Sequence, residues 1–302
     1  MRTAEFYRKN PWFREDDVSF LMIYDLETGE SACAAQIDGL IEAPNWSKDG
    51  GALYYNRGGR ICRFDLTDGH ETVVPSDYAD NCNNDHVLSP DGLSIAVSHG
   101  TREDGRSRVY TLPLTGGVPR LVTPLGPSYL HGWSPDGKTL VYCAERGGEY
   151  DIYTIPAEGG VERRLTDAPG LNDGPEYSPD GAWIWFNSVR SGLMQVWKMR
   201  ADGGEQTQMT FDEERNSWFP HISPDGQKVV FLAYKKGDVN PGEHVPHRHV
   251  ELRLMNSDGT DLHTIVPLFG GQGTINVNSW SPDSRRFAYV RYEIRGIQNE
   301  EL

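Results

Sequence analysis

Short segments in which apolar and polar residues alternate recur along the whole chain. They include "ALYYN", "LSIAVS", "TLVYCA", "WIWFNS", "KVVFLA" and "RFAYVR", and each one follows a polar turn. Alternation with a period of two, rich in β-branched and aromatic residues, predicts strands instead of helices. We therefore expect an all-β chain built from many short hairpins.

The turn before each of these strands is a repeated tetrapeptide: "SKDG", "SPDG" or "SPDS". Its six copies begin at Ser47, Ser89, Ser134, Ser178, Ser223 and Ser281, with spacings of 42, 45, 44, 45 and 58 residues. Proline presets φ in a tight turn, aspartate bonds the nearby backbone, and glycine accepts a left-handed conformation. A second turn motif, as in "LETGES" or "LTGGVP", also occurs six times. This second turn leads into the fourth strand of each repeat, so each repeat contains four strands in all.

Four strands in a repeat of this length are typical of a β-propeller blade, such as the blade of a WD-repeat propeller. Six repeats predict one six-bladed domain over residues 1–302, with an N-terminal extension over 1–17. The last tetrapeptide has too little chain after it for a third and fourth strand. Segments 18–36 and 270–295 are therefore expected to form the closing blade together, which leaves no open sheet edge.

The segments "NWSKDG", "GWSPDG", "EYSPDG" and "SWSPDS" resemble the blade turns of TolB-type propellers, and the resemblance covers nearly the whole chain. It implies a propeller that binds protein partners across one face. The periplasmic translocation protein TolB also has an export signal and an extra N-terminal domain. Neither is visible in this sequence, so its role in the cell envelope is not implied.

Polar residues gather just before the tetrapeptides, on the strands expected to line the central channel. Convergent polar groups at a channel mouth are typical of a ligand pocket, although a water-filled channel would accept them as well. Histidine titrates near neutral pH, so the histidines of these strands are candidate bases. We assign His131 and His86 as catalytic candidates, and Asn84, Asp85, Asp173 and Asn276 as ligand-binding candidates.

Four further residues are candidate ligand contacts. Arg146 and Arg190 stand between the second and third strands of adjacent blades, where they would hold a carboxylate through two hydrogen bonds. A solvated hairpin arginine is the alternative. Trp218 would stack on a sugar ring or pack in the core, and Gln272 lies in the glycine-rich segment "FGGQGTINVN".

Blade five is about 14 residues longer than the others, and its extra segment contains "HVPHRH" at His244–His249. This stretch resembles the Gln-x-x-His-x-His loop of oligogalacturonate lyases, which are propellers of the same type. The resemblance implies a divalent metal (Mn, Zn, Ni or Fe) and a lyase acting on uronates. The metal ligands would be His244, His247, His249 and His221, and an exposed histidine-bearing loop is the alternative.

The composition limits the classes of partner that we expect for this protein. The net charge is −15 and no cluster of Lys and Arg is present, so a nucleic acid is not expected. No apolar run reaches the length of a membrane helix. The start "MRTAEFYRKNPWFREDD" does not have the pattern of a signal peptide, which predicts a cytoplasmic protein, or a periplasmic one if a leader has been removed.

Three functions remain open. The first is a metal-assisted lyase for oligouronates, in which a channel histidine removes a proton. The second is a protein that binds a small carbohydrate or uronate without turnover. The third is a non-catalytic scaffold for a protein or peptide partner.

Overall fold

The computed structural model describes residues 14–297, and these residues form 23 β-strands and no helix. The chain begins in the closing blade with β1 (Asp17–Asp25) and β2 (Glu30–Asp38). Blade one is β3 (Ile41–Trp46), β4 (Ala52–Arg57), β5 (Arg60–Asp65) and β6 (Glu71–Val73). Blade two is β7 (Cys82–Leu88), β8 (Ser94–Gly100), β9 (Ser107–Pro113) and β10 (Arg120–Leu121). Within this described part of the chain, no helix is present that would be long and apolar enough to span a membrane.

Three more blades follow. Blade three is β11 (Ser128–Trp133), β12 (Thr139–Arg146), β13 (Glu149–Pro156) and β14 (Arg163–Arg164). Blade four is β15 (Asn172–Tyr177), β16 (Trp183–Ser191), β17 (Leu193–Arg200) and β18 (Thr207–Gln208). Blade five is β19 (Arg215–Ile222), β20 (Lys228–Lys235), β21 (Pro246–Asn256) and β22 (His263–Gly271). The chain then returns to the closing blade with β23 (Arg286–Ile294).

The predicted six-bladed propeller is confirmed, including a closing blade made by both ends of the chain. In that blade the strand order is β2–β1–β23. Its inner segment, 272–280, is irregular and is attached to β23 by two backbone hydrogen bonds, from Val290 N–H to Thr274 O at 3.0 Å and from Ala288 N–H to Ser279 O at 2.9 Å. Most of the predicted extension 1–17 lies outside the described residues.

The serine of the tetrapeptide holds each blade turn together. In blade three the Ser134 hydroxyl donates to Asp136 Oδ1 at 2.6 Å and accepts the backbone N–H of Thr139 at 2.9 Å. The same pair of bonds recurs at the other five copies. A side chain that serves both partners explains why serine always begins the motif.

Each of the five regular inner strands contains a shift in register with its neighbour, a β-bulge. In three of them the bulge has a residue in the left-handed region: Ala43 at φ 57°, Gly174 at φ 62° and Phe219 at φ 56°. A bulge breaks the alternation of side chains between the two faces. Counting back from the tetrapeptide in steps of two therefore does not identify every channel-facing residue.

The extra length of blade five is divided between a loop and a strand. The connection runs over residues 236–245, and β21 begins at Pro246, whereas the sequence had predicted a loop up to His249. Pairing of Pro246 with Gly271 and of Arg248 with Gly270 extends the β21–β22 hairpin. His247 lies in the bulge between these pairs with φ 57°. Residues two apart on a regular strand point the same way, but this does not apply to His247 and His249, because His247 occupies a bulge.

Apolar side chains pack between neighbouring blades. One cluster joins blade five to the closing blade and includes Trp218, Tyr234, Trp280 and Phe287. These side chains are almost completely excluded from solvent. The contacts between blades hold the inner strands in fixed positions around the channel.

Candidate functional site

A cavity of about 420 Å³ lies at the amino-terminal ends of the inner strands of blades two, three and four. Part of its wall comes from the long connection of blade five and from the segment after β22. We call it the chamber, and its volume lies within the range of roughly 300–1,000 Å³ that is usual for small-molecule sites. The lining residues are Asn83, Asn84, Asp85, Tyr129, His131, Cys143, Tyr150, Leu171, Asp173, Phe219, Gly242, His244 and Gln272.

His131 and Asp173 form an ion pair in the chamber. His131 Nε2 is 3.2 Å from Asp173 Oδ1, and both side chains are buried. Burial alone would lower the pKa of His131, but the hydrogen bond to Asp173 and the charges of Asp173 and Asp85 outweigh it and raise that pKa. Burial would raise the pKa of Asp173, but His131 lowers it below its usual value. The charged forms of both groups are therefore favoured together.

Asp85 is the second carboxylate of the chamber, and it has the more unfavourable environment. Burial raises its pKa to about 6, with a further increase from the charge of Asp173 and an opposing effect of His131. Asn83 donates its side-chain N–H to Asp85 Oδ2 at 2.6 Å. At neutral pH this carboxylate is mostly ionised without a cation of its own.

His244 reaches the chamber from the long connection of blade five. Its Nε2 lies 3.8 Å from Asp173 Oδ2, and its ring packs on Trp218 and Phe219 with centroid distances of 4.5 and 5.1 Å. Burial lowers its pKa, which favours the neutral ring. His244 therefore adds a hydrogen-bonding group to the chamber without adding charge.

Aromatic rings form much of the remaining wall. Tyr129 and Tyr150 lie 6.5 Å apart at a tilt of 30°, and Phe219 stacks on His131 at 5.8 Å. Burial raises the pKa of both tyrosines, so their hydroxyls stay protonated. Burial and the charge of Asp173 raise the pKa of Cys143 far above its usual value. A thiol of this kind is a poor nucleophile at neutral pH.

Several polar atoms of the lining residues lack a partner in the part of the chain that the structure describes. They are Asn84 Nδ2, His131 Nδ1 and His244 Nδ1. Buried polar groups are nearly always hydrogen-bonded, to protein or to ordered water. A bound molecule or water that engages these atoms would remove the penalty of leaving them unpaired.

Six of the predicted site residues meet in the chamber: Asn84, Asp85, His131, Asp173, His244 and Gln272. The other eight are not among its lining residues: His86, Arg146, Arg190, Trp218, His221, His247, His249 and Asn276. The chamber also contains residues that the sequence analysis did not assign as contacts. These are Asn83, Tyr129, Cys143, Tyr150, Leu171, Phe219 and Gly242.

Arg146 is engaged within its own blade. Its guanidinium forms two hydrogen bonds with Glu162, Nε to Oε1 at 2.7 Å and Nη2 to Oε2 at 2.8 Å, and the hydroxyl of Tyr142 donates to the same carboxylate. Arg57 and Glu71 repeat this arrangement in blade one. The repetition indicates a structural role for the arginine at this hairpin position.

Replacing Arg146 with alanine is expected to lower the free energy of unfolding by about 1–2 kcal/mol, because Glu162 loses a partly buried ionic partner. The affinity for a molecule bound in the chamber should change less than twofold, because Arg146 does not line the chamber. Urea denaturation and titration calorimetry measure the two effects. Arg57→Ala is the matched control and should give a similar loss of stability; a large loss of ligand affinity in Arg146→Ala would contradict this assignment.

Arg190 is also bound within its blade. It donates to Asn172 Oδ1 at 2.7 Å and to Gln206 Oε1 at 2.5 Å, and its guanidinium lies 4.8 Å from the centre of the Trp197 ring. A ligand carboxylate would have to displace these partners. The expected role of Arg190 as a carboxylate clamp in the channel therefore does not fit its position.

Three more candidates point into the interior. His86 is fully buried, with Nε2 3.5 Å from the Tyr54 carbonyl oxygen, and burial lowers its pKa to about 4. Trp218 is fully buried behind His244. Asn276 accepts the Gly273 N–H on Oδ1 at 2.6 Å. The bulge of β19 and the irregular closing segment place Trp218 and Asn276 off the alternation of a regular strand, whereas His86 lies on the regular side of the β7 bulge.

The four predicted metal ligands contact different residues. His244 lines the chamber, while His247 Nε2 lies 2.8 Å from Asp17 Oδ1 in the closing blade and His249 packs on Phe269 at 5.4 Å. His221 pairs with Glu176 at 2.7 Å. Over residues 14–297, no group of three or more His, Cys, Asp or Glu side chains is arranged to hold a metal ion. The histidines therefore do not fit the metal centre that the resemblance implies, and the metal stays a prediction.

The fold and the chamber together define a six-bladed ring with a polar, aromatic cavity at the ends of its inner strands. Residues 128–248 match the family model described as the TolB β-propeller domain. The uncharacterized protein Atu1656 of Agrobacterium fabrum is 48% identical over 275 residues, which cover 91% of this chain and 92% of that protein. The chain belongs to the TolB-type β-propeller family.

Solved structures agree with this assignment. A structure from Agrobacterium tumefaciens that is provisionally described as TolB is 47% identical and covers 92% of this chain and 99% of its own, with a TM-score of 0.87. TolB from Acinetobacter baumannii is 21% identical, with a TM-score of 0.66 and coverage of 88% and 68%. Oligogalacturonate lyase from Vibrio parahaemolyticus is 12% identical, with a TM-score of 0.51 and coverage of 84% and 74%. At the last two identities the likeness shows the fold alone.

Proposed function

We propose that this protein binds a small carbohydrate in the chamber and does not convert it. The observation that carries the proposal is the composition of the lining, which combines two carboxylates, three amide side chains and three aromatic rings. Carboxylate and amide oxygens accept hydrogen bonds from sugar hydroxyls, and aromatic faces cover the apolar faces of a sugar ring. The unpartnered donors of Asn84, His131 and His244 suit the oxygens of the same ligand.

A uronate fits the chamber less well than a neutral sugar. Among the described lining residues there is no Lys or Arg, and Arg146 and Arg190 are occupied by partners within their blades. A lyase acting on uronates needs a cation to stabilise the charge that develops beside the carboxylate. Among the described lining residues the ring of His131 is already paired with Asp173, so we favour binding over elimination.

Binding can be tested with Asp173→Asn. Removing this charged acceptor should weaken the binding of a sugar by about 1.5–3 kcal/mol, which is roughly tenfold or more in the dissociation constant. Titration calorimetry with glucose, maltose and cellobiose measures the affinity. Asp77→Asn is the matched control, because Asp77 is exposed outside the chamber and the charge change is the same. Absence of sugar binding to the wild-type protein would contradict the proposal.

A second candidate function is a scaffold for a protein or peptide partner, and membership of the TolB-type family favours it. Such a partner would use the propeller face and would bury roughly 1,200–2,000 Å² of total surface in a stable complex. Once a partner is identified, equal affinity for the wild type and Asp173→Asn would support this function. Loss of the partner in Asp173→Asn would place it in the chamber. The compartment, cytoplasmic or periplasmic, stays a prediction in both cases.

A further inference from the structure

The charges that face the chamber do not balance. Asp173 is neutralised by His131, and the lowered pKa of His244 leaves that ring uncharged. Asp85 is then left without an ion-pair partner of its own at neutral pH, although the charge of His131 acts on it. The charge of Arg106 acts on Tyr150, but its guanidinium donates to the Gly126 carbonyl oxygen and does not line the chamber.

The protein maintains this carboxylate at a cost in free energy. Asp85 is 5% exposed, and its raised pKa shows that the surroundings oppose its ionisation. Asn83 donates to Oδ2 at 2.6 Å, and this neutral amide does not offset the charge of the carboxylate. A buried charge without a cation is unfavourable unless a partner supplies the opposite charge. An asparagine would fill the same space without this penalty, so the carboxylate indicates a cationic partner.

The walls around Asp85 suit an organic cation. The rings of Tyr129, Tyr150 and Phe219 border the chamber, and the Asp85 carboxylate acts electrostatically on Tyr129. Aromatic faces attract an ammonium group, and the attraction increases when water is excluded. Asp173 Oδ2 is a further acceptor, with His244 Nε2 3.8 Å away. Carboxylates with aromatic rings and no competing lysine or arginine are an arrangement that selects a protonated amine.

We propose that the ligand of the chamber is a sugar with a protonated amine, and that its ammonium group lies beside the carboxylate of Asp85. This inference rests on the proposed function, because it specifies the class of carbohydrate that the chamber selects. Asp85 supplies the charge, Asp173 and Asn84 hydrogen-bond the ring substituents, and the aromatic rings cover the ring faces. Neutral sugars of the same shape bind more weakly, and sugar acids bind most weakly.

Four sugars of similar size test the proposal: glucosamine, glucose, N-acetylglucosamine and glucuronate. Titration of the full-length protein at pH 7.0 should give glucosamine an affinity roughly tenfold or more above that of glucose, from one added ion pair in a site shielded from water. N-acetylglucosamine retains the nitrogen without its charge, so it should lose this advantage. In Asp85→Asn the ratio of glucosamine to glucose affinity should fall to less than about threefold, while Asp77→Asn keeps the wild-type ratio.

The outcomes separate this inference from the proposed function. If none of the four sugars binds to the wild-type protein, the carbohydrate function itself is overturned. If glucose and glucosamine bind equally, or if Asp85→Asn keeps the preference for glucosamine, the carbohydrate function stands and the amine inference is overturned. If Asp85→Asn does not fold, the comparison of glucosamine with N-acetylglucosamine on the wild-type protein decides.

Discussion

Asp85→Asn is expected to make the ligand-free protein more stable at pH 7.5, by up to about 3 kcal/mol, and to raise the midpoint of thermal unfolding by roughly 5 °C. In the folded protein the pKa of Asp85 is raised from 3.8 to about 6, mainly by burial. The folded state therefore holds this proton more tightly than the unfolded state does. Its contribution to stability is present below pH 4 and is lost as the pH rises through 6. Asparagine removes the penalty of burying the charge.

The pH dependence identifies the cause. Thermal unfolding of the wild type and Asp85→Asn should differ most at pH 7.5 and little at pH 4.5, where the carboxyl group is protonated in the folded protein. Asp77→Asn, which changes an exposed carboxylate, should match the wild type within about 0.5 kcal/mol at both values. A less stable Asp85→Asn protein at pH 7.5 would show that the carboxylate stabilises the fold. A stabilising substitution that abolishes ligand preference is the usual sign of a residue retained for binding.

His221→Ala should destabilise the protein by about 3–5 kcal/mol, because it removes one partner of a buried pair and leaves Glu176 without the ring that contacts it. His221 Nδ1 lies 2.7 Å from Glu176 Oε2, and Nε2 lies 2.8 Å from the Ile275 carbonyl oxygen. The ring therefore connects the Glu176 carboxylate to the backbone of the closing blade's inner segment. The same carboxylate accepts the N–H of Ile222 at 3.0 Å and the side-chain N–H of Asn278 at 2.6 Å. This cluster joins blades four and five to the inner segment of the closing blade.

Urea denaturation of the wild type and of His221→Ala measures the difference in the free energy of unfolding. His263→Ala is the matched control, since His263 also faces an aspartate, Asp261, at 3.6 Å, but on the exposed surface. Exposed pairs contribute about 0–1 kcal/mol, so this variant should unfold nearly as the wild type does. A loss below about 1 kcal/mol in His221→Ala would show that water compensates Glu176.

The repeat made the architecture predictable. A turn whose residues serve a local hydrogen-bond pattern can be recognised without tertiary information, and six copies at a regular spacing define the number of blades. The offset between the two turn motifs predicted that both ends of the chain share one blade, which β1 and β23 confirm. Counting back from the tetrapeptide also predicts His131 and Asp173 on the channel wall, whereas Asp85 falls on the alternate register of that count.

The wrong placements have local causes that composition and spacing do not reveal. Trp218 lies beyond the bulge of β19, so alternation counted back from the tetrapeptide fails there. His86 lies on the regular side of the β7 bulge and is nevertheless buried in the interior. Arg146 was considered a ligand donor, but Glu162 stands 16 residues away along the chain and pairs with it across the blade. Phe219 enters the chamber from a left-handed bulge position that the sequence does not mark. A side chain's partner depends on register, which becomes visible in three dimensions.

The closing blade also sets the order of events during synthesis on the ribosome. Strand β1 precedes its partner β23 by about 260 residues, so the two strands are translated on the order of tens of seconds apart at cellular rates of elongation. Until then β1 and β2 are a nascent hairpin with one unpaired edge. The hairpin of β1 and β2 therefore completes its sheet only after β23 has been translated, and its open edge is exposed to other chains until then.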